Sequence, residues 1–238
     1  MKKAIIIGSS SGIGKELAKV LSQNGYAVGL TGRRVQLLTD LQSELSTESF
    51  VKAIDVSQTA EAMQRLEELI SEMDGVQLIV INAGVGFINP ELEWEKEKTT
   101  IETNVHGFAA MANVAFKHFL KQSSGHLVGI SSIAALRGSG ATPAYNASKA
   151  FVSNYLEGLR QKAGKLKLPI TVTDIQPGLV DTAMAQGEGL FWVAPSEKAA
   201  RQIFDTIKSR RKHAFVTKRW RLIAWLVKAM PDRVHNKI

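Results

Sequence analysis

The chain has 238 residues, 45% hydrophobic and 22% charged, the balance of a globular α/β unit and not of a disordered, collagen-like or coiled-coil chain. No apolar run approaches the roughly 18–20 residues of a spanning helix, and cysteine is absent, which excludes disulfides, thiolate nucleophiles and cysteine metal sites. The net charge of +8 is unevenly placed: residues 1–197 carry 18 Lys and Arg against 20 Asp and Glu, residues 198–238 carry 12 against 2, so the body is not built to bind nucleic acid.

In chain order, Lys3–Ile7 is a short strand-like run that ends in a Gly/Ser loop. Lys15–Asn24 follows with Leu17, Val20 and Leu21 at helical spacing, and Gly25 stops it. Tyr26–Thr31 reads as a strand and Val35–Ser46 as a helix with a stripe of Leu37, Leu38, Leu41 and Leu45. Phe50–Ile54 is a third strand, and Ser57 is placed to cap a helix running to Met73. Val76–Ile81, Leu127–Ile130 and Ile170–Ile175 are further strands, the last two after long helical stretches. The mixed-sign run Glu91–Lys98 reads as a solvated helix face. These strands are continuous apolar runs without alternation, which is the pattern of a parallel sheet covered on both faces. Strands alternating with helices predict a single doubly wound α/β domain over residues 1–217 and an extension over 218–238.

The first strand runs directly into Gly8-Ser9-Ser10-Ser11-Gly12-Ile13-Gly14. Gly8 permits a tight turn, Gly12 lets backbone approach a pyrophosphate, and Gly14 lets the helix pack on the sheet. The helix N-terminus then offers N–H groups and partial positive charge to phosphate. The spacing is G-x-x-x-G-x-G, and a purely structural turn is the competing reading. The second strand ends in Thr31-Gly32-Arg33-Arg34, with no acid to hold a ribose 2′-hydroxyl. Arg33 and Arg34 instead suit the 2′-phosphate of NADP, the alternative being two solvated charges at a helix start.

Ser131 and Ser132 follow a strand, and thirteen residues after Ser132 comes Tyr145-Asn146-Ala147-Ser148-Lys149. With Pro143 near a helix start, Tyr145 and Lys149 share one face at i and i+4. A phenol has a reference pKa of about 10, too high for a base at neutral pH. A nearby ammonium is expected to lower it. The five histidines have no metal-ligand spacing and no G-x-S-x-G hydrolase signature is present.

Taken together these residues resemble the short-chain dehydrogenase/reductase family. The resemblance rests on Gly8-x-x-x-Gly12-Ile13-Gly14, Asp55-Val56, Asn82-Ala83-Gly84, Asn104, Ser132, Tyr145-x-x-x-Lys149 and Pro177-Gly178, in the family's order, over roughly Lys3 to Thr217. One departure is Ile7-Gly8 where the family usually has Thr-Gly. The resemblance implies a Rossmann-type NADP(H)-binding fold and oxidoreduction between a carbonyl and an alcohol. It implies that Tyr145 is the general acid/base, that Lys149 holds the nicotinamide ribose and tunes Tyr145, and that Ser132 bonds the substrate oxygen. Asn104 would hold a relay water, with a helix brace as its alternative. Gly8, Ser10, Ser11, Gly12, Ile13 and Gly14 would cradle the dinucleotide, with Arg33 and Arg34 at its far end. Asp55 would meet the adenine, with a turn-forming role as its alternative. Asn82, Ala83 and Gly84 would line the cleft, Pro177 and Gly178 would pass beside the nicotinamide, and Thr182 would lie near its carboxamide. A homodimer or homotetramer built on the helices carrying Asn104 and Tyr145 is implied as well. The alternative function is a catalytically idle NADP-binding sensor or scaffold.

After Pro177-Gly178, the residues Met184, Leu190, Phe191 and Trp192 point to a lipophilic carbonyl or alcohol substrate, or else pack on the body. The expected compartment is the cytoplasm, since Ala4–Ile7 is too short for the core of a leader. The tail from Lys218 to Pro231 is a basic amphipathic helix with Leu222, Ile223, Leu226, Val227 and Met230 on one face and Arg221 and Lys228 on the other. It docks on its own body or a partner subunit beside the pocket, lies peripherally on the inner membrane surface through 218–230, or extends loosely.

Overall fold

In the computed structural model, which describes residues 1–182, 192–231 and 233, seven strands form one parallel sheet. They are β1 (Lys2–Ile7), β2 (Tyr26–Gly32), β3 (Ser49–Ala53), β4 (Leu78–Ile81), β5 (Gly125–Ile130), β6 (Ile170–Pro177) and β7 (His213–Val216), in the order β3-β2-β1-β4-β5-β6-β7. The helices are α1 (Gly12–Gln23), α2 (Val35–Glu44), α3 (Thr59–Glu72), α4 (Trp94–Ile101), α5 (Phe108–Gln122), α6 (Pro143–Leu166), α7 (Ser196–Lys208) and α8 (Trp220–Ala229).

Both faces of the sheet are buried, as continuous apolar strands require. Along β1, Ile5 and Ile7 point into a core shared with α3, α5 and α6, while Ala4 and Ile6 point into a core shared with α1, α2 and α7. The winding reverses at β1, which has β2 on one side and β4 on the other. That reversal opens a crevice at the carboxyl ends of the strands, the usual ligand position in such a sheet.

Three details depart from the sequence reading. Strand β7 is additional: four residues after a basic run carry no periodic signal, and pairing with Asp174–Pro177 of β6 defines it. Ser57 does not cap α3; its hydroxyl donates to Asp55 at 2.8 Å, and Gln58 stands at the cap without a side-chain bond. The expected stripe on α8 is split. Trp220 and Ala224 are buried, with Ile223 and Val227 partly so, while Leu222, Trp225 and Leu226 face outward. Trp220 turns the helix this way, because its large ring seats directly against Gly178, where an added Cβ would lie 2.1 Å from the indole.

Candidate active site

The loop after β1 is built to bring backbone together. Gly8 has φ +90°, and a Cβ there would lie 2.7 Å from the backbone of Ala83, so no other residue fits without displacement. The amides of Gly8 and Ser9 donate to Thr31 O at 3.1 and 2.9 Å, and Asn82 Nδ2 donates to Gly8 O at 2.6 Å. A Cβ on Gly14 would lie 2.1 Å from Gly8 O, so the first turn of α1 sits tightly against the loop. Ser9 is the serine the sequence reading passed over. It is buried and its hydroxyl donates to Thr31 O at 3.2 Å, which leaves Ser10 and Ser11 to face the crevice. The first turn of α1 has no acid and no side-chain cap from Ser11. Its N–H groups are therefore directed at an anion site without internal competition.

The crevice is a cleft of about 650 Å³. It brings together Gly8, Ser10, Ser11, Gly12, Ile13, Arg33, Arg34, Asp55, Asn82, Ala83, Gly84, Ser132, Tyr145, Lys149, Pro177, Gly178 and Thr182, that is, all the sequence-selected residues except Gly14 and Asn104, which support its walls. Arg33 and Arg34 stand at the end of β2, and Arg34 Nη2 donates to both Ser10 Oγ and Ser11 Oγ at 2.8 Å. Asp55 accepts from the amide and hydroxyl of Ser57 at 3.1 and 2.8 Å, which is the turn-forming role, while still lining the cleft. The residues fit a dinucleotide. The decisive feature is the cradle at Gly12, with φ +55°, where a Cβ would meet Thr182 Cγ2 at 2.9 Å and fill the passage between the loop and the segment that follows β6.

At the other end of the cleft, Ser132 lies two residues past the end of β5, capping the 3-10 turn Ile133–Leu136, and Tyr145 lies in the first turn of α6, which begins with Pro143. Lys149 follows one turn later. Its ammonium is 5.7 Å from the Tyr145 ring centroid and donates to Ile130 O at 3.1 Å. Burial pushes the Lys149 ammonium down to about 8, against an opposing pull from Asp174. Burial also pushes the Tyr145 phenol up, and a hydrogen bond with Ser132 opposes it. In place of the expected lowering, burial sets the direction for Tyr145 in the protein by itself. The lysine is itself desolvated, and its charge is directed to a backbone carbonyl.

Ser132 Oγ accepts from Ala134 N at 3.1 Å and reaches Pro177 O only at 3.5 Å, which leaves its proton directed to the Tyr145 oxygen. Ser131 is turned away: it donates to Asp174 and to Ile175 O. Asn104 occupies a π-helical turn, Glu102–Gly107, between α4 and α5. Its amide closes both sides of Val85, accepting from Val85 N at 2.9 Å and donating to Val85 O at 2.7 Å, and also donates to Ser148 Oγ at 3.0 Å. This is the bracing role, and it holds the loop after β4 against α6.

Two residues near the site were not singled out in the sequence. Gly86 packs against the Tyr145 ring, where a Cβ would lie 2.8 Å from Cδ2. Asp174 is buried in β6, accepting from Ser153 Oγ at 2.6 Å and Gln176 Nε2 at 3.2 Å as well as from Ser131. An acid inside an apolar strand was the available signal for it. Of the apolar residues expected to face substrate, Met184, Leu190 and Phe191 lie outside the described residues. Trp192 packs edge-on to Trp220 with ring centroids 6.3 Å apart and Arg219 over its ring. No cluster of metal-ligating side chains occurs among the described residues.

A family model described as short chain dehydrogenase matches residues 2–190. The chain belongs to the short-chain dehydrogenase/reductase family. An uncharacterized oxidoreductase of Myxococcus xanthus is 36% identical over 188 residues, covering 77% of this chain and 74% of that protein. Among solved structures, a short-chain dehydrogenase/reductase from Burkholderia phymatum in complex with NAD superposes with a TM-score of 0.85 at 22% identity, over 94% of this chain and 92% of that one. An alcohol dehydrogenase from Thermococcus sibiricus, complexed with 5-hydroxy-NADP, gives 0.81 at 22% identity over 91% and 96%. Members of this family are oxidoreductases, and the seven-stranded doubly wound sheet is their fold.

Proposed function

We propose that this dehydrogenase/reductase uses NADP(H) to interconvert a carbonyl and an alcohol on a lipophilic small molecule, with Tyr145 as general acid/base. The observation that carries the reading is the meeting of Ser132, Tyr145 and Lys149 in one cleft with the Gly-rich loop and Arg33/Arg34. A nicotinamide supplies the hydride when bound; the chain supplies position and a proton. The Thermococcus sibiricus enzyme carries an NADP derivative and the Burkholderia phymatum protein carries NAD. The choice for this chain therefore rests on its own residues. Arg33 and Arg34 at the end of β2, with Gly32 in place of an acid, favour a 2′-phosphate.

Tyr145 is held protonated by its burial, which suits donation to a substrate oxygen during reduction and calls for extra positive charge during oxidation. Ser132, its Oγ anchored by Ala134 N, is free to turn its proton to the same oxygen and stabilise negative charge there. Lys149, at about 8, is mainly charged at neutral pH and is placed to hold ribose hydroxyls. Asn104 keeps the loop carrying Gly84 in place, with the relay water as its further role. Phe87, Ile88, Ile133 and Leu179 line the cleft and support an apolar substrate. In this reading residues 1–217 are the catalytic domain, 218–238 are its extension, the protein is cytoplasmic, and it assembles as a homodimer or homotetramer.

The test is Tyr145→Phe assayed by NADPH loss across aliphatic, aromatic and steroid carbonyls. Turnover should fall by about 10² to 10⁴-fold while the Kd for NADPH stays within about twofold of wild type. Wild-type protein that binds NADPH but turns over none of the panel would favour the idle sensor or scaffold and overturn this reading.

A further inference from the structure

Helix α8 has two apolar faces, and among the described residues only one is packed against the fold. Trp220, Ile223, Ala224 and Val227 turn inward. At about 100° per residue, Leu222, Trp225, Leu226 and Ala229 fall on the directly opposite side. Leu222 is 65% exposed, Trp225 70% and Leu226 51%. Arg221 and Lys228 border this strip on one side and Arg219 on the other, all three exposed.

The adjoining sequence is rich in basic residues. Between Thr206 and Pro231 the chain has eight Lys and Arg and no Asp or Glu, and all eight are exposed. Helix α8 packs on β7, whose first residue, His213, follows the Arg210–Lys212 loop directly. Arg160 of α6 joins that group, its Nη2 donating to Lys212 O at 2.9 Å.

We propose that α8 seats the protein on an anionic lipid bilayer. The helix lies flat, with Leu222, Trp225 and Leu226 at the headgroup boundary and Arg219, Arg221 and Lys228 among the phosphates. Tryptophan suits that depth, since its ring is apolar and its N–H is polar. Ten residues span only about 15 Å, half of a hydrocarbon core of about 30 Å, and no described helix is long and apolar enough to cross a membrane. A second copy is the poorer occupant. A two-fold contact on this face would set Arg219, Arg221 and Lys228 against their own copies, with no acid on the helix to offset them. Its footprint, about 150 Å² for a helix of this length, is far below the roughly 800 Å² per partner of a stable interface.

The inner face of α8 lines a cavity of about 220 Å³ together with Ile133 and Ala134, and those two residues also line the main cleft. The membrane-facing helix is therefore one residue layer from the catalytic end. That a lipophilic carbonyl enters from the bilayer follows only if the proposed function holds; the docking itself does not depend on it.

The full chain is sedimented with phosphatidylcholine vesicles with and without phosphatidylglycerol. Binding is expected with phosphatidylglycerol, at least about tenfold weaker without it, and weakened by high salt. The variant Leu222→Ser/Trp225→Ser/Leu226→Ser should partition at least about tenfold less with NADPH binding unchanged. Arg221→Glu/Lys228→Glu should lose the preference for phosphatidylglycerol. Because the chain has no cysteine, Leu226→Cys can carry a single environment-sensitive dye, and Leu166→Cys a control dye on another exposed site. A blue shift with phosphatidylglycerol vesicles at 226 and not at 166 supports the proposal. Absence of vesicle binding by the wild type, equal binding by the triple-serine variant, or a triple-serine variant that merely falls to a smaller oligomer would overturn it.

Discussion

Arg34 shows how one exposed side chain serves two ends. Its Nη2 spans Ser10 Oγ and Ser11 Oγ at 2.8 Å each, so the guanidinium is held over the phosphate-binding loop by neutral hydroxyls. Those hydroxyls cannot neutralise it, and a phosphate oxygen there would replace weak partners with a charged one. Each such charged hydrogen bond contributes about 1.5–3 kcal/mol, and about 1.4 kcal/mol is tenfold in affinity. Arg33→Ala/Arg34→Ala is therefore expected to raise the Kd for NADPH by about 10²-fold and to leave NADH within about threefold, read by titration of cofactor fluorescence. An equal loss for both cofactors would mean that Arg34 only stiffens the loop. The position of this pair was legible in the sequence, because a strand end carrying Arg in place of an acid is a local pattern. So was the pairing of Tyr145 with Lys149, which needs only one helical turn. The direction in which burial moves each of them was not legible. It depends on how deeply each is buried, and burial is set by β5, the loop after β4 and β6 together.

At the scale of elements, six of the seven strands were legible because buried parallel strands are continuous apolar runs, while the short edge strand β7 and the joints between elements were not. Asn104 is an example: its place in the motif was readable, but the π-helical turn that aims it at Val85 was not. His126 is another joint. Thr173 Oγ1 gives its only proton to Arg211 O at 2.6 Å, so His126 Nε2, 2.8 Å away, must be the donor in that pair. The ring ties β5 to β6 and to the loop before β7. Burial holds its pKa down to about 4 from an ordinary 6.5. Below pH 6.5 the unfolded chain binds a proton that the folded chain refuses. Stability is therefore lost as pH falls from about 6.5 and levels off near 4, by on the order of 3 kcal/mol. His126→Gln keeps an amide donor for Thr173 and cannot titrate. Its urea midpoint should fall less than the wild type's between pH 7 and pH 4.5, and identical losses would remove His126 from the acid limb.

For the molecule as a whole, the two sheet cores and α8 are separable. Neither core contains a residue of α8. The helix packs instead on β7, on the 3-10 turn Ile133–Leu136 that follows Ser132, and through Trp220 on Gly178. These three supports all lie at the end of the cleft away from Arg33 and Arg34. Loss of the Trp220 ring should therefore release α8 as a local unit, because little of the sheet's buried surface depends on it. Trp220→Ala is expected to keep the Kd for NADPH and most of the global stability, while trypsin cuts after Lys218, Arg219 and Arg221 at least about tenfold faster. With the wall beside Ile133 and Ala134 loosened, KM for an apolar carbonyl should rise and kcat should change less. A global loss of about 3–5 kcal/mol, the usual cost of removing a tryptophan from a core, would show instead that α8 is part of the folding unit. The boundary drawn at residue 217 would then be wrong.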